Sequence, residues 1–205
     1  RDVRETSRGF HLRPPDSVVP LSRRGVKGYY ADVFAGLAPV GRRLLLQGAE
    51  VRIWELGLGP AGDICNKKNL KVLCHDIRGG RVIGCMLQPP CDTMSAIRNI
   101  DRRGPLRSRA RPWGADWVEH DAKLSPKVKA GNMCARAAAK IARLCIRCGV
   151  PFVVENPRAS WLWKLPCWTD IVASPHTQSP LLCRPMYVWC AMAQENWFPR
   201  WQHLS

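Results

Sequence analysis

Four short apolar runs, separated by stretches with helical periodicity, restrict this chain to one broad class of fold. The runs are Tyr29-Tyr30-Ala31-Asp32-Val33-Phe34, Val51-Arg52-Ile53-Trp54-Glu55-Leu56, Val82-Ile83-Gly84-Cys85-Met86 and Pro151-Phe152-Val153-Val154. Each has strand length and the β-branched or aromatic content that suits a pleated sheet. A helix is predicted after the first run, with Pro39 near its start and Gly48 at its stop. Another is predicted from Lys67 to Ile77, broken by Gly79-Gly80, and a third over 125–148. In the third, Met133, Ala137, Ile141, Leu144 and Cys145 share one face at three-to-four spacing. Strands that alternate with helices in this way join as parallel neighbours through crossover connections. The expected fold class is therefore α/β and Rossmann-like, a mostly parallel sheet with helices on both faces.

With 205 residues, 46% of them hydrophobic, the chain has room for one domain and an appendage. We expect an α/β domain over 29–172. Before it, residues 1–28 are polar and basic, with Pro14-Pro15 and Pro20, and read as a flexible arm. After it, residues 173–205 form a tail rich in tryptophan and proline with no periodicity from which to assign a structure. Residues 92–124 hold much Arg, Gly and Pro and read as a long loop with at most short helices. No stretch reaches the roughly 18–20 apolar residues of a membrane span. The tryptophans just after the fourth run, Trp161 and Trp163, read as core packing rather than as a platform for stacked bases.

The formal net charge of +16 is unevenly distributed. Residues 150–205 hold four basic residues against three acidic ones, so 28 basic residues face 13 acids in the first 149 positions. Such a body favours a polyanion, most simply nucleic acid, over an acidic small molecule. Ten cysteines are many for this length. Cys145 and Cys148 form one Cys-x-x-Cys pair with no second pair or suitably spaced histidines, so no metal site is expected, and the thiols read as reduced and mostly buried.

The strand ends carry the chemistry-bearing residues. The first runs into Ala35-Gly36, a turn that lets backbone N–H groups approach a ligand. The second ends at Glu55, the third leads into Gln88-Pro89-Pro90-Cys91, and the fourth ends in Glu155-Asn156-Pro157. Together these motifs, spread over about residues 29–165, resemble the DNA cytosine-5 methyltransferase family. The resemblance implies a methyltransferase fold, S-adenosylmethionine as cofactor and DNA as partner. It implies methyl transfer to carbon 5 of cytosine through a covalent cysteine intermediate. By this resemblance Asp32, Phe34, Ala35 and Gly36 would cradle the methionine end of the cofactor, Glu55 the ribose hydroxyls, and Asp63 the adenine. Cys91, aimed by Pro90, would be the nucleophile. Glu155, with Asn156 shaping its turn, would hold the base. Arg98, Arg102, Arg103, Arg107, Arg109 and Arg111, opposed only by Asp101, lie where the family has a loop that closes over DNA around a flipped base. An intracellular protein is expected, nuclear or nucleoid-associated if it acts on DNA. Since the chain begins at Arg1, a targeting segment could precede it.

The chain also departs from the family pattern. Asp92-Thr93-Met94-Ser95 replaces the usual Gln-x-Phe-Ser after the cysteine, and no Gln-x-Arg-x-Arg segment or target-recognition domain is recognisable. Two alternatives stay open at this stage. One is a truncated, catalytically degenerate relative that binds nucleic acid, and the other is a methyltransferase acting on RNA.

Overall fold

The computed structural model describes residues 4–6, 9–12, 28–95, 104–175, 177–178 and 186–191. In chain order they form β1 (Arg4–Thr6), β2 (Gly9–Leu12), β3 (Tyr29–Val33), α1 (Pro39–Leu46), β4 (Val51–Trp54), α2 (Lys67–Arg78) and β5 (Val82–Leu87). There follow α3 (Asp116–Glu119), α4 (Leu124–Cys148), β6 (Phe152–Pro157), α5 (Thr169–Val172), β7 (Thr177–Gln178) and β8 (Met186–Ala191). The protein is α/β, and β4, β3, β5 and β6 form the parallel centre of a sheet ordered β1-β2-β4-β3-β5-β6-β8-β7. The sheet is mixed rather than mostly parallel, because antiparallel pairs extend both edges. These edges are built from residues 4–6, 9–12, 177–178 and 186–191, in the stretches expected as arm and tail.

Side-chain alternation divides the two faces. Ala31, Val33, Trp54, Cys85, Leu87, Phe152 and Val154 point to one side, where α2 and α4 cover them with Leu73, Ile77, Ile141 and Leu144. Val51 and Ile53 point to the other, under Leu44 and Leu45 of α1. Helices thus lie on both faces.

The inward stripe of α4 contains four of the five predicted residues, Ala137, Ile141, Leu144 and Cys145, but not Met133. Met133 is 54% exposed, while Ala135, Ala138, Ala139 and Ala142 are buried beside Ile141 and Cys145. Small residues face inward because the helix runs close to the segment after β5. A β-carbon on Gly131 would come within 2.7 Å of the Thr93 hydroxyl. A glycine inside a helix weakens it by about 1 kcal/mol, and here close packing is the return. Trp161 is buried in the core and Trp163 packs against it; Trp168, further along the chain, is core as well, donating to the Ala135 carbonyl at 3.2 Å and meeting the Trp163 ring edge-on at 5.9 Å.

At the amino ends of the strands, buried Asp76 of α2 joins three elements. It accepts from the Tyr29 hydroxyl at 2.7 Å and from Arg52 at 2.8 Å, and it also pairs with Arg81. Burial and this hydrogen bond push the Tyr29 phenol far above its ordinary pKa. The network anchors the end of the sheet away from the residues singled out by sequence.

Candidate functional site

The chain passes from β3 outward to β4 and then returns to the opposite side for β5. The loops leaving β3 and β5 therefore diverge and open a crevice at the carboxyl ends of the strands, the usual ligand position in open α/β sheets. A side-chain bridge forms its floor. Asp32, at the end of β3, accepts from the Gln88 amide at 3.0 Å and from the Gly41 N–H in α1 at 2.9 Å. Both carboxylate oxygens are thus engaged within the protein, so Asp32 supports the crevice from beneath. Burial raises its pKa to about 6 despite these two bonds.

The turn above it is tightly wound. Phe34, Gly36 and Ala38 all have left-handed backbones, with φ of 57°, 54° and 52°. For Phe34 and Ala38 that conformation costs about 1–2 kcal/mol each. Ala35 is buried in the cluster under α1. The Gly36 N–H donates to one Glu55 oxygen at 2.8 Å, and the Gly57 N–H donates to the other at 3.2 Å. Glu55 is only half-buried, so each oxygen keeps a lone pair for a further donor. The chain then folds back. A β-carbon on Gly62 would lie 2.1 Å from the Glu55 carbonyl oxygen, so only glycine permits this approach. Asp63 follows, its carboxylate accepting from the Cys65 N–H at 2.8 Å, with Asn69 donating to the Asp63 and Pro60 carbonyls. Leu37, Leu56 and Leu58 are the exposed apolar residues on these loops, the first two at 82% and 66%.

On the other side of the crevice, the Gln88 N–H donates to the Val33 carbonyl at 3.0 Å, carrying the β5 direction past its last residue. Pro89 is buried, Pro90 and Cys91 are exposed, and the Cys91 carbonyl accepts from Met94 and Ser95 in a tight turn. Glu155 and Asn156 lie within β6 rather than after it. Pairing of β6 with β5 stops at Leu87 and Val154, while pairing with β8 continues through Glu155, Asn156 and Pro157. Glu155 therefore stands just beyond the parallel ladder, beside the segment that carries Cys91. Buried Asn156 donates to the Pro89 carbonyl at 2.7 Å.

The electrostatics of this pair oppose a resting thiolate. Partial burial, then the Glu155 carboxylate, then Asp92 push the Cys91 thiol above its ordinary pKa. Burial raises Glu155 as well. A thiolate nucleophile needs a pKa helped down by its neighbours. Here a lowered pKa requires a positive charge or an altered Glu155.

Arg107, one of the arginines expected to contact nucleic acid, instead lies in the protein interior. It is 0% exposed. Its guanidinium donates to the Thr93 carbonyl and Pro112 carbonyl at 2.8 Å, to the Thr93 hydroxyl at 3.2 Å, and to the Asn132 amide oxygen at 2.8 Å. All four acceptors are neutral, and burial lowers its pKa to about 10. Arg107 thus fastens the turn after Cys91 to α4, and Met94 closes the other side by accepting from the Trp161 N–H at 2.8 Å. Arg109 and Arg111 are exposed, the latter 3.0 Å from Asp116. Arg98, Arg102 and Arg103 lie outside the described residues. Sequence reasoning missed Gln88, Thr93 and Asn132. The glycine inside α4 was the one signal that something packed closely there.

No family model, curated protein or solved structure matches this chain. Among the described residues, no group of three histidine, cysteine or carboxylate side chains is placed to hold a metal ion, and no helix is long and apolar enough to cross a membrane. The α4 sequence contains six basic and no acidic residues, which places a strong positive charge on the helix behind the Cys91 turn.

Proposed function

We propose that this protein transfers a methyl group from S-adenosylmethionine to carbon 5 of cytosine in DNA. The observation that carries the reading is the meeting of Cys91 and Glu155 at the ends of adjacent parallel strands, across one crevice from the Gly36–Glu55 turn. A half-buried carboxylate with spare acceptor capacity suits ribose hydroxyls. The apolar rim of Leu37, Leu56 and Leu58 suits a flat purine. The residues present therefore fit the cofactor, with Glu55 and Asp63 facing its nucleoside part and the Phe34–Gly36 turn its amino-acid part. When bound, S-adenosylmethionine supplies an electrophilic methyl group.

Carbon 5 of cytosine is too weakly nucleophilic to take that group unaided. Attack of the Cys91 thiolate at carbon 6 pushes an electron pair into the ring, and Glu155, whose pKa burial raises, delivers a proton at N3. Carbon 5 then has enamine character. Loss of the carbon 5 proton after methylation expels Cys91 and restores the ring. The basic charge of α4 and the exposed Arg109 and Arg111 suit contacts with the phosphate backbone.

One observation favours a second reading. A thiol whose pKa is raised by partial burial and then by two neighbouring acids suits a catalytically degenerate relative that binds nucleic acid without reacting. Covalent trapping on 5-fluorocytosine DNA separates the two, since a fluorine at carbon 5 cannot leave as a proton would. A Cys91-dependent adduct formed only with the cofactor supports catalysis. DNA binding that falls steeply with salt, without an adduct, supports the degenerate relative. Adducts formed equally or better on matched RNA would replace DNA as the substrate.

A further inference from the structure

Eight cysteines between Cys65 and Cys167 are free thiols, and two pairs of them lie in contact. Cys85 and Cys145, at 3.7 Å, are sealed under α4 in the core. Cys65 and Cys134, at 3.6 Å, are both half-buried, and they join the turn after Asp63 to the middle of α4. The second pair adjoins the candidate cofactor loop, since Asp63 accepts from the Cys65 backbone N–H and the Asp63 and Glu55 carboxylates both act on the Cys134 thiol.

A disulfide has its sulfurs about 2.05 Å apart, so this pair needs an approach of about 1.5 Å. The move is feasible because Cys65 lies in a short turn outside regular structure, between Asp63 and the Asn66 cap of α2. The two thiols also differ in character. Their shared hydrogen bond lowers the pKa of Cys65 and raises that of Cys134. Cys65, carried on the short turn before α2 while Cys134 is held within α4, is the attacking sulfur and Cys134 the resolving one.

We propose that Cys65 and Cys134 are a reversible oxidation site, which hydrogen peroxide converts to a disulfide that draws the 63–66 turn onto α4 and weakens the cofactor site. The Cys65 thiolate attacks one peroxide oxygen, the O–O bond breaks, and the departing hydroxide takes up a proton to leave as water, with a sulfenic acid on Cys65. The Cys134 sulfur then attacks the Cys65 sulfur. The hydroxyl leaves with the Cys134 proton as a second water. Two thiols give up two electrons and two protons, and one peroxide becomes two waters. A dithiol reductant reverses the change by exchange.

The test treats the full chain with near-stoichiometric peroxide, caps the remaining thiols with iodoacetamide and maps the peptides by mass spectrometry. The expected result is one Cys65–Cys134 cross-linked peptide, 2 Da lighter than its reduced parts and absent from Cys134→Ser. Oxidation confined to exposed Cys91 and Cys148 overturns the proposal. A Cys65→Ala variant, checked for folding by circular dichroism, serves the same purpose if Cys134→Ser does not fold.

The effect on the cofactor rests on the function proposed above, so it is read separately by calorimetry. Oxidised wild type should bind S-adenosylmethionine about tenfold more weakly than reduced wild type and recover with dithiothreitol. Treated Cys134→Ser should keep its affinity, which also controls for oxidation elsewhere. A mapped disulfide with unchanged affinity overturns the coupling. Absence of S-adenosylmethionine binding by the reduced protein counts against the proposed function, while the peptide map still decides whether the oxidation site exists.

Discussion

Asn156 donates its side-chain amide to the Pro89 carbonyl across 2.7 Å in the protein interior. The residue next to Glu155 thereby holds the segment that aims Cys91, and the two strand ends are mechanically one unit. Asn156→Ala should cost about 1–2 kcal/mol of stability, the penalty of a buried carbonyl without its donor. The loss in covalent trapping should be larger than the loss in cofactor binding, because Glu55 and Gly36 are untouched. Urea unfolding, calorimetry and adduct yield, measured on one preparation, check this. Equal losses in both activities would remove the positioning role.

Glu155 acts on Cys91 electrostatically, and the sign can be tested without substrate. Partial burial and then the Glu155 carboxylate raise the thiol pKa. Glu155→Gln removes that charge, so the midpoint for alkylation of Cys91 by iodoacetamide should fall and the rate at pH 8 should rise severalfold. The same substitution should reduce trapping on fluorocytosine DNA, since the proton donor to the base is lost. A slower alkylation in the variant would contradict the placement of the two groups.

Arg107 and Arg109 stand two residues apart and should behave in opposite ways. Arg107→Met leaves the Thr93 carbonyl and the Asn132 amide without a donor in the interior, at a cost on the order of 3 kcal/mol. Arg109→Ala should leave the unfolding midpoint unchanged and lower the salt dependence of DNA binding by about one phosphate contact. Chemical denaturation and fluorescence anisotropy at several salt concentrations separate the two.

Asp32 gives the fold a pH signature. Its pKa is about 6 in the folded protein against an ordinary 3.8, so the folded state holds the extra proton between these values. Its stabilising contribution is complete below about pH 4 and is lost as pH rises through 6, by an amount on the order of 3 kcal/mol. Asp32→Asn should remove this slope. The asparagine oxygen can still face Gly41, and Gln88 can rotate its amide to accept. Urea midpoints for both proteins at pH 4.5 and 7 provide the measurement.

Glu55→Ala should abolish measurable S-adenosylmethionine binding while leaving the sheet intact, because Glu55 follows the last residue of β4 and stays outside the core. Unchanged affinity would remove the proposed cofactor site.

Periodicity and turn chemistry made the core elements legible before any coordinates. The four central strands, Pro39 at the start of α1, and α2 beginning at Lys67 are local consequences of apolar spacing, proline and glycine, and local rules carry them. Strand-end positions for Gly36, Glu55 and Cys91 followed from the same reading. Strand order did not, because the choice of which side of β3 receives β5 is made by contacts far apart in sequence. Hence the crevice, the Asp32–Gln88 bridge on its floor and the continuation of β6 through Glu155 against β8 belong to the tertiary structure alone. Arg107 makes the point most sharply. One-dimensional context groups it with exposed loop arginines, whereas four neutral acceptors converging from the turn, the loop and α4 draw it inside. A side chain's identity determines which bonds it can make, and only the folded chain decides which partners come within reach.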